Sequence, residues 1–266
     1  MSHYRLVLLP DLPSDKPYKY FQIILFVVMP LPKLNAPTYE LALPSTGKKI
    51  RYRPFLVKEE KILLVAMESE DEKQMQGAVK QILKNCILSR GVKVDDLSVF
   101  DIEYLFLNIR GKSVGEEVKL NLICPDDNET QVEVTIDIED IQVQKPEGHD
   151  RVVKLTEEVA LVMKYPSMET FVKNNITGDG NNVDSIFDLT IGCIDQVVEG
   201  EDVYESSSFS KKELLEFMDT MDSSQFQSVQ NFFETMPKLS HTVEITNPKT
   251  GVKSDVVIEG LQSFFD

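Results

Sequence analysis

Gly111-Lys112-Ser113 is the stretch of the chain whose residue types could hold a phosphate group. A phosphate-binding loop needs another glycine five positions before Gly111, and it needs a strand in front of the loop. Phe106 occupies that position, and the residues before it follow a helical pattern instead. We therefore interpret this stretch as the C-terminal turn of a helix, where glycine is common.

Metal chemistry would depend on the cysteines, and a structural zinc site needs four suitably spaced ligands. Cys124-Pro125 matches the first half of a zinc knuckle, but Asp126 and Asp127 stand where the second thiol should follow. The stretch 247–251, Asn-Pro-Lys-Thr-Gly, has the outline of the same knuckle without a thiol. The sequence therefore predicts no metal centre and no cofactor.

Catalysis by a histidine would need a serine or cysteine and an acid in a recognised arrangement, and no such signature is present. His149 follows the predicted linker 145–148, so we expect it to be exposed. A hydrolase would require the fold to bring His149 or His241 beside Cys124 in a cleft. We predict that the protein is not an enzyme and has no small-molecule substrate.

Carboxylate groups offer no stronger candidate for chemistry. The pairs at 95–96 and 126–127 fall in predicted caps or turns, where solvation explains them without catalysis. The stretch 179–182 begins like a calcium loop, but Thr190 occupies the twelfth position, where that loop has a glutamate. These carboxylates therefore add no predicted site.

The overall charge restricts the class of partner. The chain has 44 acidic and 28 basic residues, for a net charge of −16. Such a surface repels phosphate backbones, so we expect no nucleic-acid partner. The excess of acid fits either basic protein partners or solubility alone.

The three cysteines, Cys86, Cys124 and Cys193, are odd in number and lie in apolar surroundings. This indicates buried free thiols and a reducing compartment.

Residues 1–28 differ from the rest of the chain. The apolar run from Phe21 to Val28 has eight residues, too few to span a bilayer, and no signal-peptidase site follows it. Met29-Pro30-Leu31 reads as a natural start. We interpret 1–28 as an N-terminal extension in preference to a targeting signal, and we expect no membrane partner.

Three helices are predicted after residue 55. The first covers 56–67 and is apolar all round in its second half, so we expect that half to be buried. The second has an apolar stripe from Met75 to Ile87 and is expected to end at Gly91. Asp95 or Asp96 should cap the third, which runs through Asn108.

A hairpin pattern occurs near each end of the chain. The residues Thr, Glu, Pro, Thr, Gly and Lys recur with identical spacing in 38–49 and in 242–253, and each copy has a Pro-x-Thr-Gly turn. Chance convergence of common turn residues and a repeated β-module both explain the match. Alternating apolar residues in 118–138 predict a third hairpin between them. Our candidate partner contacts are Pro44, Thr46, Gly47, Pro248, Thr250, Gly251, Phe264 and Phe265.

Helices dominate the prediction for the C-terminal part. One should start at Asp184 and continue through Val198, a second should begin with the capping box Ser210-x-x-Glu213, and Asp222 should cap a third. Their apolar stripes fit either a core or a docking face. We predict an α+β fold, a helical core with three β-hairpins, divided into 1–28, 29–145 and 146–266.

Several long stretches of the chain resemble the sequences of a known protein family. The stretches 29–40, 44–61 and 100–115, together with the closing hairpin and 261–265, resemble the baseplate hub proteins of T-even-like contractile-tail phages. The resemblance covers about residues 29–266. It implies a non-enzymatic role in assembling the baseplate hub, with other hub proteins, the tape-measure protein and the spike complex as partners. It places the protein in the virion tail, and in the cytoplasm of the host bacterium during assembly.

Two kinds of role remain open within that resemblance. The protein could stay in the hub as a subunit, with exposed β-edges joining its partners. Alternatively, it could act as a transient chaperone for hub or tape-measure proteins and be absent from the finished virion. The acidic surface and the methionine-rich helices fit both roles equally well.

Overall fold

The architecture is α+β, as predicted, with six helices and eleven strands in the residues that the structure covers. This computed structural model describes residues 34–69, 71–167, 170, 183–260 and 263. The helices are α1 Val57–Glu68, α2 Glu72–Cys86, α3 Val99–Val114, α4 Val183–Cys193, α5 Lys211–Asp219 and α6 Ser223–Thr235.

The strands form four small antiparallel sheets, in the orders β1-β2, β3-β4, β11-β10-β5 and β6-β7-β8-β9. In chain order they are β1 Tyr39–Ala42, β2 Lys49–Tyr52, β3 Glu117–Ile123, β4 Gln131–Asp137, β5 Gln142–Gln144, β6 Val152–Lys154, β7 Val159–Met163, β8 Ile194–Glu199, β9 Asp202–Glu205, β10 Lys238–Thr246 and β11 Lys253–Glu259.

Three apolar clusters make up the core, and α3 contributes to two of them. The first cluster joins the β1-β2 hairpin to α1, α2 and α3. The second packs the four-stranded sheet against α4, α5 and α6. The third packs the β3-β4 hairpin on the three-stranded sheet, with Leu107 of α3 beneath both. One face of α3 thus supports the first hairpin, while Leu107 supports the other two.

Three helix boundaries differ from the prediction. Helix α2 ends at Cys86, where Ile87 leaves helical geometry, so the expected end at Gly91 is wrong. Ser98 caps α3, because its hydroxyl accepts from the Asp101 N–H, and neither Asp95 nor Asp96 does. The helix predicted through Val198 ends at Cys193, and the chain continues as strand β8.

Gly111 lies inside the last turn of α3, and its lack of a side chain allows close packing. A Cβ at this position would meet Ile138 Cδ1 at 3.1 Å, which is tighter than ordinary van der Waals contact. The 3₁₀ turn Ile138–Asp140 can therefore rest directly on the helix. The Gly-Lys-Ser stretch owes its glycine to this packing.

Replacing this glycine should destabilise the fold. We expect Gly111→Ala to lower the free energy of unfolding by up to about 2 kcal/mol, because moving Ile138 costs about 1–3 kcal/mol and helix propensity returns only about 1 kcal/mol. Gly77→Ala is the matched control, since Gly77 lies in α2 with no atom within 4 Å of its added Cβ. There alanine should raise stability by about 1 kcal/mol through helix propensity. Urea unfolding of both variants checks the pair, and equal effects would contradict this explanation.

Candidate partner-contact surface

The first Pro-x-Thr-Gly turn is closed by its own backbone. The Gly47 N–H donates to the Leu43 carbonyl at 2.8 Å, and the Leu43 N–H donates to the Lys48 carbonyl at 3.0 Å. Gly47 has a φ of +69°, which glycine adopts without strain. Pro44, Thr46 and Gly47 are exposed at this tip. The turn therefore presents a defined, solvent-facing shape.

The second Pro-x-Thr-Gly turn repeats this geometry. The Gly251 N–H donates to the Asn247 carbonyl at 2.8 Å, and the Asn247 N–H donates to the Val252 carbonyl at 2.9 Å. Gly251 has a φ of +75°. Pro248, Thr250 and Gly251 are exposed. The likeness between the two turns thus extends from the sequence to the backbone hydrogen bonds.

A cross-strand ion pair recurs beside each of these turns. Lys49 lies 3.3 Å from Glu40 in the first hairpin, and Lys253 lies 2.7 Å from Glu244 in the second. All four side chains are largely exposed, so each pair adds little to stability. The pairs do show that the repeated lysine and glutamate have the same structural role in both hairpins.

The middle hairpin has a related turn that the sequence pattern did not reveal. The Asn128 N–H donates to the Cys124 carbonyl at 2.9 Å, and the Cys124 N–H donates to the Thr130 carbonyl at 2.8 Å. Asn128, with a φ of +55°, takes the position that glycine has in the other two turns. Asparagine adopts this conformation more readily than most other residues. Because it stands in place of the glycine, the sequence pattern did not show that this turn resembles the other two.

A buried aspartate anchors the first turn to α3. Asp101 is 1% exposed and accepts hydrogen bonds from the Ser45 N–H at 3.0 Å, from the Ser45 hydroxyl and from the Ser98 hydroxyl at 2.7 Å. A carboxylate bonded in this way holds its neighbours in fixed positions. The turn is therefore tied to the helical core through Ser45.

A second aspartate anchors the other turn to the middle hairpin. Both carboxylate oxygens of Asp126 lie 3.0 Å from the Asn247 amide nitrogen, and the Thr250 hydroxyl donates to Asp126 at 2.6 Å. These bonds from Thr250 and Asn247 lower the pKa of the Asp126 carboxyl. The sequence predicts Asp126 only as a solvated turn residue, because these long-range bonds have no local sequence signal.

The two turns thus have separate anchors. Among the described residues, no hydrogen bond joins the first turn to the second. Phe264 and Phe265, the remaining candidate contacts, lie outside the described residues. Whether any of the eight candidates contacts a partner stays a prediction.

The first turn forms one wall of an open groove of about 640 Å³. Arg151, Lys164, Tyr165 and Asp101 also line it. A groove of this size can accept a few side chains of a partner, since ligand sites start at about 300 Å³. The further lining comes from Leu43, Ser45, Thr46, Lys48, Ile50, Gly91, Val92, Lys93, Asp95, Asp96, Leu97, Ser98, Ser167, Thr170 and Gly192.

Helix α1 exposes an apolar strip where burial was predicted. Val57 is 79% exposed, Leu64 54%, Val65 55% and Met67 40%. The expectation that this half of the helix is buried is therefore wrong. The core takes only the opposite side, through Glu59, Leu63 and Ala66. Val57, Leu64 and Val65 are spaced i, i+7, i+8 and share a helix face, which we call the α1 strip. Because interaction sites of soluble proteins are often exposed and apolar, the α1 strip is a candidate contact surface.

A family model described as T4 bacteriophage base plate protein matches residues 36–266. The chain belongs to this baseplate family. No curated protein and no solved structure gives a significant match. The resemblance noted from the sequence is thereby confirmed at the level of the baseplate. A baseplate protein is located in the tail of the phage particle and contacts other baseplate components. The exposed surfaces described above are therefore candidates for such contacts.

His149 is buried in this family member, so the exposure expected from its linker position is wrong. It is 7% exposed and lies against the rings of Tyr165 and Phe232. Its Nδ1 is 3.0 Å from the Thr235 hydroxyl, and its Nε2 is 3.1 Å from the Tyr165 hydroxyl. The Thr235 hydroxyl donates to the Asn231 carbonyl, so Nδ1 must carry the proton that Thr235 accepts.

Stability should fall in weak acid because of this histidine. Burial lowers the pKa of His149 below 6.5, with a smaller contribution from Lys145, while Asp150 opposes the shift. The unfolded chain therefore takes up the proton first. Stability then falls as the pH drops through 6.5, until the lower native pKa is passed. We expect His149→Phe to reduce the slope of unfolding free energy between about pH 7.5 and about pH 5. An unchanged slope would contradict this assignment.

The cysteines Cys86, Cys124 and Cys193 are free and buried, as predicted. Burial raises the pKa of Cys86 to about 11 and that of Cys193 to about 12. Within the described ranges, no group of three metal-ligating side chains comes together. No helix in that part of the chain is long and apolar enough to cross a membrane.

Proposed function

We propose that this baseplate protein is a non-enzymatic component of the baseplate hub and joins partner proteins through its exposed surfaces. The observation that carries the proposal is the α1 strip, which leaves three apolar side chains in solvent on a protein of the baseplate family. Soluble monomers seldom leave such side chains grouped on one helix face without a partner. Other hub proteins, the spike complex and the tape-measure protein are the partners we propose.

The α1 strip fits a partner with an apolar groove. An amphipathic helix can insert its apolar residues into such a groove. Lys61 lies on the same helix face, between Val57 and the pair Leu64 and Val65, and Lys58 lies beside it with 67% of its side chain exposed. The partner surface should therefore combine apolar and acidic groups.

The first hairpin tip offers a second contact beside a charged groove. Asp101 holds the tip in place, so binding there costs little ordering of the backbone. The groove is lined by four cations, Lys48, Lys93, Arg151 and Lys164, and by the carboxylates of Asp95, Asp96 and Asp101. A polar loop of a partner that carries both signs of charge suits this groove, whereas the apolar strip suits a hydrophobic surface. The two contacts therefore differ in their chemistry.

The state of the thiols and of His149 supports the proposed role without catalysis. The raised pKa of the buried thiols keeps them protonated near neutral pH. Both ring nitrogens of His149 already lie within hydrogen-bond distance of protein hydroxyls in the core. We propose that the protein acts through its contacts, in the virion tail and in the host cytoplasm during assembly.

Chemical cross-linking of assembled baseplates tests this proposal. We expect Lys58 and Lys61 to cross-link to another baseplate protein, because they lie within or beside the α1 strip. Lys212 is the matched control, since it lies on the exposed side of α5 and is 85% exposed. Cross-links from Lys212 alone, or from none of these lysines, would contradict a contact at α1.

The α1 strip also suits a transient chaperone for hub or tape-measure proteins. Met67 extends its apolar surface, and methionine adapts to partners of varied shape. A chaperone would use the strip in assembly intermediates and then leave. A hub subunit would keep it covered in the finished tail. Retention in the particle therefore separates the two roles.

A further inference from the structure

We propose that strand β11 pairs with β11 of a second copy of this chain, antiparallel about a twofold axis at Val256. The inference goes beyond the hub role and does not depend on it. It rests on the open edge of the three-stranded sheet, on the direction of the backbone groups there, and on the order of charges along the strand. A second copy is the occupant because the strand is complementary to itself.

Strand β11 is an edge strand. It pairs with β10 over seven residues, and no strand among the described residues pairs with its other side. Such an edge presents free N–H and C=O groups that can template another strand. Val257 is 60% exposed in the middle of the strand, and Val252, just before it, is 46% exposed. These side chains are therefore exposed, and the outer backbone groups have no strand partner among the described residues.

Two backbone bonds establish which groups point outward. The Asn247 N–H donates to the Val252 carbonyl at 2.9 Å at one end of the ladder, and the Gly260 N–H donates to the Leu239 carbonyl at 3.0 Å at the other. Hydrogen-bonded pairs alternate in an antiparallel ladder. Counting from either of these two bonds, the backbone groups of the even-numbered residues of β11 form the hydrogen bonds to β10. The outward groups therefore belong to Lys253, Asp255, Val257 and Glu259.

Pairing centred on Val256 uses all of these groups. Lys253 then lies opposite Glu259 of the second copy, and Asp255 lies opposite its Val257. Each of these is a hydrogen-bonded pair, as the outward groups require. The lysine and glutamate attract each other at both ends of the joined strands. The half-buried and buried side chains of Ser254, Val256 and Ile258 remain together on the inner face.

Neighbouring registers are worse. Centring the pair on Val257 places Asp255 opposite Glu259, and centring it on Asp255 places two aspartates opposite each other. Like charges directly opposite one another are unfavourable. Only the Val256 register pairs the whole strand and brings opposite charges together. The sequence of the strand thus selects one geometry.

The exposed edge of the four-stranded sheet gives a useful contrast. Strand β9, at residues 202–205, also has an open edge and is exposed along its length. Strand β9 carries an acidic residue at each end, Asp202 and Glu205, with Glu199 and Glu201 close by and no lysine or arginine in the strand. The acidic charges of two copies would repel each other at this edge. Of these two open edges, self-association therefore belongs to β11.

Two substitutions of one exposed valine test the proposal. Val257→Asp places an aspartate opposite Asp255 of the second copy, whereas Val257→Lys places a lysine there. Both substitutions remove the same exposed apolar side chain, and neither removes a backbone hydrogen bond between β10 and β11. We expect wild type and Val257→Lys to dimerise, and Val257→Asp to associate about tenfold more weakly or more, from two like-charge pairs.

Analytical ultracentrifugation of the purified full chain at up to about 100 µM makes the comparison, because weak interfaces still associate at that concentration. Circular dichroism verifies that each variant is folded. A monomeric wild type, or equal effects of both Val257 variants, would overturn the proposal.

Discussion

A chain with Leu64→Asp and Val65→Asp should fold but fail to support baseplate assembly. Both side chains are more than half exposed on α1, so the substitutions cost little in the free protein, about 1 kcal/mol in total from helix propensity. In a complex, each would place a charge in an apolar contact. A charge that is buried without a partner costs about 2 kcal/mol or more. Each change should then weaken binding by about thirtyfold.

Complementation measures this effect directly. Phage that lack the gene infect cells that supply either wild type or the variant, and infectious particles are counted. Val203→Asp is the matched control, because Val203 is also 54% exposed but lies on β9. We expect the control to support normal yields and the double variant to yield almost no particles. Equal yields from both variants would exclude the α1 strip as an essential contact.

Loss of the Glu59 carboxylate should produce the largest fall in stability. Glu59 is fully buried in α1, and its carboxylate lies 3.1 Å from Arg53 Nη2 and accepts from the Leu56 N–H at 2.9 Å. Burial raises its pKa, but the bonds from Arg53, Leu56 and Lys58 outweigh that effect, so the pKa is lowered overall. Glu59→Ala should cost about 3–5 kcal/mol, because Arg53 would remain largely buried without this partner.

Urea unfolding of three variants separates the contributions at this position. Glu59→Gln keeps an acceptor for the Leu56 N–H but loses the charge, so we expect a smaller cost than for alanine. Glu60→Ala is the neighbouring control on the same helix turn and should change stability by less than about 0.5 kcal/mol. Equal effects of Glu59→Ala and Glu60→Ala would contradict the role of the buried ion pair.

The pH dependence gives an independent check of the Glu59 pair. Because the native pKa is lowered from 4.5, the unfolded carboxyl takes up its proton first as the pH falls. The stability that the charge provides is thus fully present above that value. It is lost as the pH falls through the native pKa. Glu59→Gln should not show this loss.

Local patterns predicted the elements whose contacts are local. Alternation of apolar residues in 118–138 predicts the strands that form β3 and β4, and Ser210-x-x-Glu213 predicts the capping box of α5. Asp222 caps α6 as expected. In each case the partner lies within a few residues, so spacing alone carries the information.

The four-stranded sheet was missed because its strands are short and its pairing is distant. Strands β6 and β9 have three and four residues, and β7 pairs with β8 more than thirty positions along the chain. Ile194 and Val198 fit both a helix spacing of four and a strand spacing of two. Periodicity cannot separate these alternatives in so short a segment.

The anchoring aspartates could not be predicted for the same reason. Asp126 bonds to residues 121 and 124 positions away, and Asp101 bonds to Ser45, 56 positions away. The burial of His149 could not be predicted either. Pro146 and Gly148 indicate a linker, whereas its partner Thr235 lies 86 positions further along the chain. These contacts exist only once the tertiary structure has formed.

Quantitative mass spectrometry of purified particles and of tail-assembly intermediates tests the central claim most directly. We predict a small, fixed number of copies of this protein in both samples, as expected for a hub component retained in the baseplate. Abundance in intermediates together with absence from finished particles would contradict the claim and identify a chaperone instead.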